Sequence, residues 1–418
     1  MTKLRTHRLF RFAPARLCIL VLFCFAAVIA APAQGVYFTT LASFDGTDGA
    51  SPYAGLVQGG DGNFYGTAWV GGNPNCNGGY GCGTVFKITP SGTITTLYNF
   101  CSQSNCTDGA FPLAPLVQGS DGNFYGTAGD GGASGAGTVF KITPGGTLTT
   151  LHSFDGTDGG GPVAGLVQAT DGNFYGTASG GGTNDRGTVF KITPAGTLTR
   201  LYSFCAAGDP CPDGAGPRAS LVEGIDGNFY GTTAYGGNNN CHGIQGQFGC
   251  GTVFKITPAG ELTTMYSFCS QPQPNCTDGA WPYGWLVLAS DGNFYGTTYA
   301  GGTNTWGTVF KITPAGVLTS FSISDAPAAG LVQGTDGNFY GTTSGANGSY
   351  GGVFKITPSG VLTTLHSFDG ADGAWPWGGL VQVRDGSFYG TTYGGGAYNS
   401  DGTVFRLGVV NTCATCQP

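Results

Sequence analysis

The chain has 418 residues, 40% of them hydrophobic, 13% aromatic and only 9% charged, with 79 glycines. Lys and Arg number 16 against 23 Asp and Glu, a formal net charge of −7 at pH 7. No basic stripe is available to neutralise phosphates, which argues against nucleic acid and against an anionic membrane surface as partners.

Residues 1–33 read as a secretory signal peptide. Lys3, Arg5, Arg8, Arg11 and Arg16 make a basic start, Leu17 to Ile29 an apolar run, and Ala31-Pro32-Ala33 a cleavage site. The apolar run is shorter than the ~20 residues of a membrane-spanning helix. Phe23, ahead of Cys24, stands where a lipoprotein site takes a small residue. Cleavage removes five basic residues and no acidic ones, so the mature chain carries 11 − 23 = −12.

The cysteines agree with export. Of 14, Cys18 and Cys24 fall in the signal and twelve remain. They form close pairs: Cys76/Cys82, Cys101/Cys106, Cys205/Cys211, Cys241/Cys250, Cys269/Cys276 and Cys413/Cys416. Each of the first five pairs lies within one expected loop, which predicts local disulfides made in an oxidising compartment. Zinc is the rival reading, but knuckle spacing occurs solely at Cys413-x-x-Cys416, with no second pair to accompany it.

The mature chain is a repeat. Asp61-Gly62-Asn63-Phe64-Tyr65-Gly66-Thr67 returns from Asp121, Asp171, Asp226, Asp291 and Asp336, and from Asp385 as DGSFYGT. Each unit also holds LVQG or a variant before this heptapeptide and GTVFKITP or a variant after a Gly-rich gap, and all but the last continue into LTTLHSF or a close variant. Four short segments rich in Val, Ile, Phe, Tyr and Thr, separated by Gly, Asp, Asn and Pro, predict four strands joined by turns. Phe64 and Tyr65 point to opposite faces of their strand, so both faces need cover. Neighbouring blades in a ring supply that cover, and the fold expected is an all-β, seven-bladed β-propeller over residues 34–408, with a short tail at 409–418.

The last unit ends at Gly402 to Leu407 without its fourth segment, while Phe38-Thr39-Thr40-Leu41-Ala42-Ser43-Phe44 matches that missing piece. The N-terminal strand is therefore expected to complete the last blade and close the ring, leaving no free sheet edge. An open β-solenoid is the alternative, and it would want capping units that the chain does not display. Two connections in each unit are tight and uniform, and two vary in length. In an up-and-down blade the two kinds emerge on opposite faces, and five cysteine pairs fall on the variable one. Function is expected there.

LVQGxDGNFYGT, GTVFKITPxG and LTTLYSF together resemble the Gloeo/Verruco-type tandem-repeat family of bacterial choice-of-anchor exported proteins. The resemblance covers nearly all of residues 37 to 407 and implies an exported, propeller-like protein, secreted or at the cell surface, with no activity generally assigned. Such proteins often carry a C-terminal anchoring segment. Here the sequence closes on Cys413-Ala414-Thr415-Cys416-Gln417-Pro418, which favours free secretion. A second departure is the stretch Ser320 to Pro327, which abbreviates a loop reading DGADGAWP elsewhere.

Chemistry is sparse. The heptapeptide aspartates, each followed by Gly in a tight turn, read as turn formers. The pairs Asp45/Asp48, Asp155/Asp158 and Asp369/Asp372 are the better calcium candidates, yet calcium takes six to eight oxygens and two carboxylates are few. No other cofactor is indicated. Lys87, Lys141, Lys191, Lys255, Lys311 and Lys355, with Arg406, recur like scaffold, their stems packed along a neighbouring blade and their heads hydrated or paired. The mature chain has three histidines: His152 and His366 occupy a position that is Tyr in other copies, and His242 lies in the longest loop. No nucleophile elbow is present, and no phosphate loop.

Aromatic residues break the repeat more informatively. Trp281-Pro282-Tyr283-Gly284-Trp285 and Trp375-Pro376-Trp377 stand where the first copy has Ser51-Pro52-Tyr53. They either stack on a ligand or fill space near the axis. The expectation is a monomeric, non-enzymatic binding module for an extracellular polysaccharide or surface protein. The alternative is a lyase or glycoside hydrolase with carboxylates at the mouth of the channel.

Overall fold

The computed structural model describes residues 35–239, 241, 249–270, 276–346, 348–398 and 400–410. The signal segment, Cys413, Cys416 and His242 lie outside these residues. No helix among the described residues is long and apolar enough to cross a membrane.

Seven antiparallel sheets of four strands follow one another along the chain. The first blade shows the pattern: a short inner strand Val57–Gln58, then Phe64–Ala68, Thr84–Ile88 and an outer strand Ile94–Asn99. The heptapeptide forms the second strand, and its five residues are buried throughout. That total burial follows from apolar groups on both faces, each covered by a neighbouring blade. Gly66 is required by packing rather than by a turn: a Cβ there would lie 2.6 Å from the Phe86 ring and 2.9 Å from Leu56.

Ring closure is as expected. Gly35–Ser43 pairs with Thr403–Val410, so the seventh sheet takes its outer strand from the N-terminal side. Phe44, at the end of that strand, meets Phe86 of the first blade edge-on at 5.0 Å. The same edge-to-face contact joins Phe100 to Phe140, Phe154 to Phe190, Phe204 to Phe254, Phe268 to Phe310 and Phe368 to Phe405.

The heptapeptide supplies a second set of seams. Tyr65 stacks on Phe124 at 4.0 Å, and each later Tyr stacks on the Phe of the following blade in the same way. The preceding Asp completes the unit: Asp61 accepts from the Asn63 backbone N–H, the Asn63 amide and the Tyr65 hydroxyl. Burial and that carboxylate push the Tyr65 hydroxyl up to about 12. The repeated cations include paired heads, one of the two states expected: Lys191, Lys255, Lys311 and Arg406 meet Asp171, Asp226, Asp291 and Asp385 of their own blade. The heptapeptide Asp already faces that strand.

The fifth unit deviates for a local reason. In five blades the outer pairing carries a bulge between Val and Phe, as between Val85 and Phe86. One residue is missing from Leu318–Ser322, so the bulge disappears and Phe321 lies opposite Val309. Ile323 then stands where the other copies place a large Phe ring. A cavity of about 260 Å³ opens beside it, lined by Ile323, Asp325, Tyr350 and Phe368 among others.

Candidate functional site

Each connection from an outer strand to the next inner strand passes a buried proline on the variable face: Pro52, Pro112, Pro162, Pro217, Pro282, Pro327 and Pro376. Proline fixes φ and aims the residue after it. That next residue is Tyr53, Leu113, Val163, Arg218, Tyr283, Ala328 or Trp377, and all seven line one cavity reached from every blade, which places it on the ring axis. Trp285 shares the lining. Its indole lies over two backbones that tolerate no side chain, since a Cβ on Gly330 or Gly379 would come within 2.5 or 2.4 Å of it. About 60 Å³ remains. That volume suits a water or two, not a small molecule.

Around this narrow axis the aromatic rings form an arc. Tyr283 lies 5.5 Å from Tyr299, Tyr299 lies 6.0 Å from Trp377 and stacks with it, and Trp377 stacks on Tyr53 at 5.4 Å. Tyr53 meets Tyr393 edge-on at 6.3 Å, and Trp69 continues the arc 6.2 Å from Tyr393. Arg218 closes the other end, its guanidinium 5.7 Å from the Tyr283 ring and 5.8 Å from the Tyr235 ring. Burial raises the Tyr53 and Tyr283 hydroxyls above the ordinary tyrosine range. They stay neutral and able to donate.

Of the five aromatic residues singled out in the sequence, three meet here: Tyr283, Trp285 and Trp377. The other two stand further out. Trp281 is half-buried among Cys250, Cys276 and their neighbours, with its indole N–H buried and unpartnered. Trp375 is 40% exposed, 6.1 Å from Tyr350. Both have left-handed backbone, φ 57° and 53°, where the third and fourth copies use Gly161 and Gly216.

Tyr53, Trp69, Arg218, Tyr299 and Tyr393 were not expected at the site. Each occupies a column in which the copies disagree: Trp69, Tyr299 and Tyr393 stand where other units have Gly129, Ser179 and Ser344. The signal was in the alignment of the copies with one another, outside the Trp-rich motifs that drew attention.

The acidic pairs are spent on their own turns. Asp45 Oδ1 accepts from the Thr47 N–H and hydroxyl and from the Asp48 N–H, while Asp48 Oδ1 accepts from the Asp45 N–H. Asp155 with Asp158, and Asp369 with Asp372, repeat this turn. The second Asp then takes a partner from the outer strand: Asp108 from Tyr98, Asp158 from His152, Asp213 from Tyr202, Asp278 from Tyr266 and Asp372 from His366. The histidines thus act as tyrosine substitutes. Asp48 is different, because its strand carries Ala42 at that position. Burial, opposed by its backbone hydrogen bond and reinforced by Asp45, raises it to about 6.

Five disulfides form as paired in the sequence: Cys76–Cys82, Cys101–Cys106, Cys205–Cys211, Cys241–Cys250 and Cys269–Cys276. All lie on the variable face, and such a set suits an oxidising environment. Among the described residues, the lining of this axial cavity contains no carboxylate, histidine or cysteine.

Residues 27–245 and 242–416 match the model of the Gloeobacter/Verrucomicrobia repeat. The chain belongs to that family. No curated protein matches it in sequence. Among solved structures, this member of the Gloeobacter/Verrucomicrobia repeat family is similar to the hydrazine synthase of Kuenenia stuttgartiensis, with a TM-score of 0.53 at 14% identity over 86% of this chain and 96% of that one. A fungal alcohol oxidase in complex with copper gives 0.51 at 14% identity, over 90% of this chain and 75% of that one. A protein of unknown function from Dyadobacter fermentans gives 0.50 at 10% identity, over 90% and 100%. Likeness at these identities concerns the propeller fold alone.

Proposed function

We propose that this protein is an exported, monomeric binding module that holds an extracellular glycan on its variable face. The observation that carries the reading is the arc Tyr283, Tyr299, Trp377, Tyr53, Tyr393 and Trp69, which gathers six aromatic rings and four phenol hydroxyls around the axis. Sugar rings offer C–H faces to stack and hydroxyls to bond, and this arc answers both. The absence of carboxylates from the lining supports binding over hydrolysis or elimination. Export rests on the signal segment and on the local disulfides, and release at Ala33 puts Gln34 first in the secreted protein.

Titration of the mature protein against a glycan panel tests this. A saturable ligand is expected, with Trp377→Ala and Tyr53→Ala each weakening it about 3- to 10-fold, as ring contacts are worth ~0.5–1.5 kcal/mol. Binding untouched by both variants would remove the arc as the site. Product formation from a polysaccharide would favour the enzyme instead.

A further inference from the structure

We propose that Arg218 anchors a sugar carboxylate, so that the ligand of the arc is an acidic, uronate-bearing polysaccharide. This rests on the glycan reading above and names its chemical class.

Arg218 is the one charged residue in its column, where other blades place Tyr53, Leu113, Val163, Tyr283, Ala328 and Trp377. It is exposed and forms no ion pair among the described residues. Elsewhere the repeated cations Lys191, Lys255, Lys311 and Arg406 are neutralised by heptapeptide aspartates on the opposite face. A guanidinium with no ion pair among the described residues, on the variable face of an acidic chain, therefore needs an explanation, and its setting provides one. The Tyr235 and Tyr283 rings lie 5.8 and 5.7 Å from its guanidinium carbon; such ring contacts take up none of the N–H donors in a conventional hydrogen bond, and a carboxylate matches that donor fork in bidentate fashion.

The space beside it has the right size and sign. A cleft of about 340 Å³ adjoins the arc, lined by Arg218, Arg186, Asp185, Ser179 and Tyr235 with Ala215 and Gly216. Asp185 Oδ1 is turned into its own loop, accepting from the Gly181 N–H at 2.7 Å. Arg186 lies 4.0 Å from the exposed Asp209. Arg218 is thus the cation of this lining that makes no ion pair among the described residues, in a volume of monosaccharide size at the lower end of ligand pockets. A rigid sugar ring lying on Tyr283 would carry its carboxylate to Arg218. An acidic peptide has the charge but no comparable use for the stacked arc.

The test is binding of the mature protein to oligogalacturonate and oligoalginate, each beside its carboxyl-reduced neutral form, with poly-glutamate as the peptide probe. The acidic sugars are expected to bind about 10- to 100-fold more tightly than their reduced forms, the range of a charge-assisted hydrogen-bond pair. Arg218→Gln should abolish the ratio between acidic and neutral forms, and Arg218→Lys should recover part of it. Equal binding of acidic and neutral forms, indifferent to Arg218→Gln, would overturn the acidic class and leave the glycan reading intact. Arg218-dependent binding of poly-glutamate with no sugar bound would overturn both, as would no binding by any probe.

Discussion

Tyr389 of the seventh blade stacks on Phe64 of the first, ring centroids 4.1 Å apart and planes 27° apart. This is the seam that converts a row of blades into a ring, and it repeats the stack made at every other junction. Thr391 reinforces it by donating to the Ala54 carbonyl at 2.8 Å.

Phe64→Ala should cost about 3–5 kcal/mol, the range for a large buried ring. Tyr389→Phe keeps the stack and should cost under about 1 kcal/mol, since its hydroxyl lacks the Asp bond that Tyr125 makes to Asp121. Chemical denaturation of the two variants separates ring packing from the polar handle. Removing residues 34–44 should leave Thr403–Val410 as an open edge and give oligomers on size exclusion.

Asp48 sets a pH dependence of definite sign. Its folded value of about 6 lies above the ordinary 3.8, so the native state holds this proton more firmly than the unfolded chain. The stabilisation is complete below about pH 4 and is lost as pH rises through about 6. Asp48→Asn should flatten unfolding free energy between those limits, by about 1 kcal/mol once solvent screening of a half-exposed group is allowed for. Ala42→Tyr, which restores the partner found in other blades, should have the same flattening effect by favouring the carboxylate. The heptapeptide aspartates act oppositely: Asp171, Asp226 and Asp291 are held low by hydrogen bonds and a lysine against the opposing effect of burial, and their contribution disappears as pH falls.

The disulfides close loops only five to nine residues long. Double replacement of Cys205 and Cys211 by Ala should lower stability by about 2 kcal/mol, with the sheet signal in circular dichroism preserved. Collapse of the fold would contradict a loop-stiffening role. Peptide mapping without reduction should return five local pairs, a result with content because the sulfurs of Cys76, Cys101 and Cys106 lie within 4.8 Å of one another.

Trp375 holds a left-handed backbone at φ 53° while 40% exposed. Trp375→Gly relieves about 1 kcal/mol of backbone strain and sacrifices a partly solvated ring contact, so stability should change little in either direction. A loss above about 2 kcal/mol would mark the indole as structural. Retained stability with weakened glycan binding would extend the ligand outward from the arc.

Most of the architecture was legible in the chain because the repeat reports its own solution seven times. Phe and Tyr side by side in the heptapeptide required cover on both faces, and the displaced LTTLHSF-like segment at Phe38 to Phe44 announced the closing strand. Local cysteine spacing likewise pointed to the five pairs that form. The site was another matter. Trp285 and Trp377 are obvious as letters, but whether an indole plugs an axis or faces a ligand depends on seven chain segments converging on one point. Tyr53, Tyr299, Tyr393 and Arg218 come from four separate blades and acquire a common role solely through that convergence. Periodicity along the chain determines strands and the seams between successive blades. The ring closure decides what faces the axis, because it alone brings residues hundreds of positions apart within reach of one ligand.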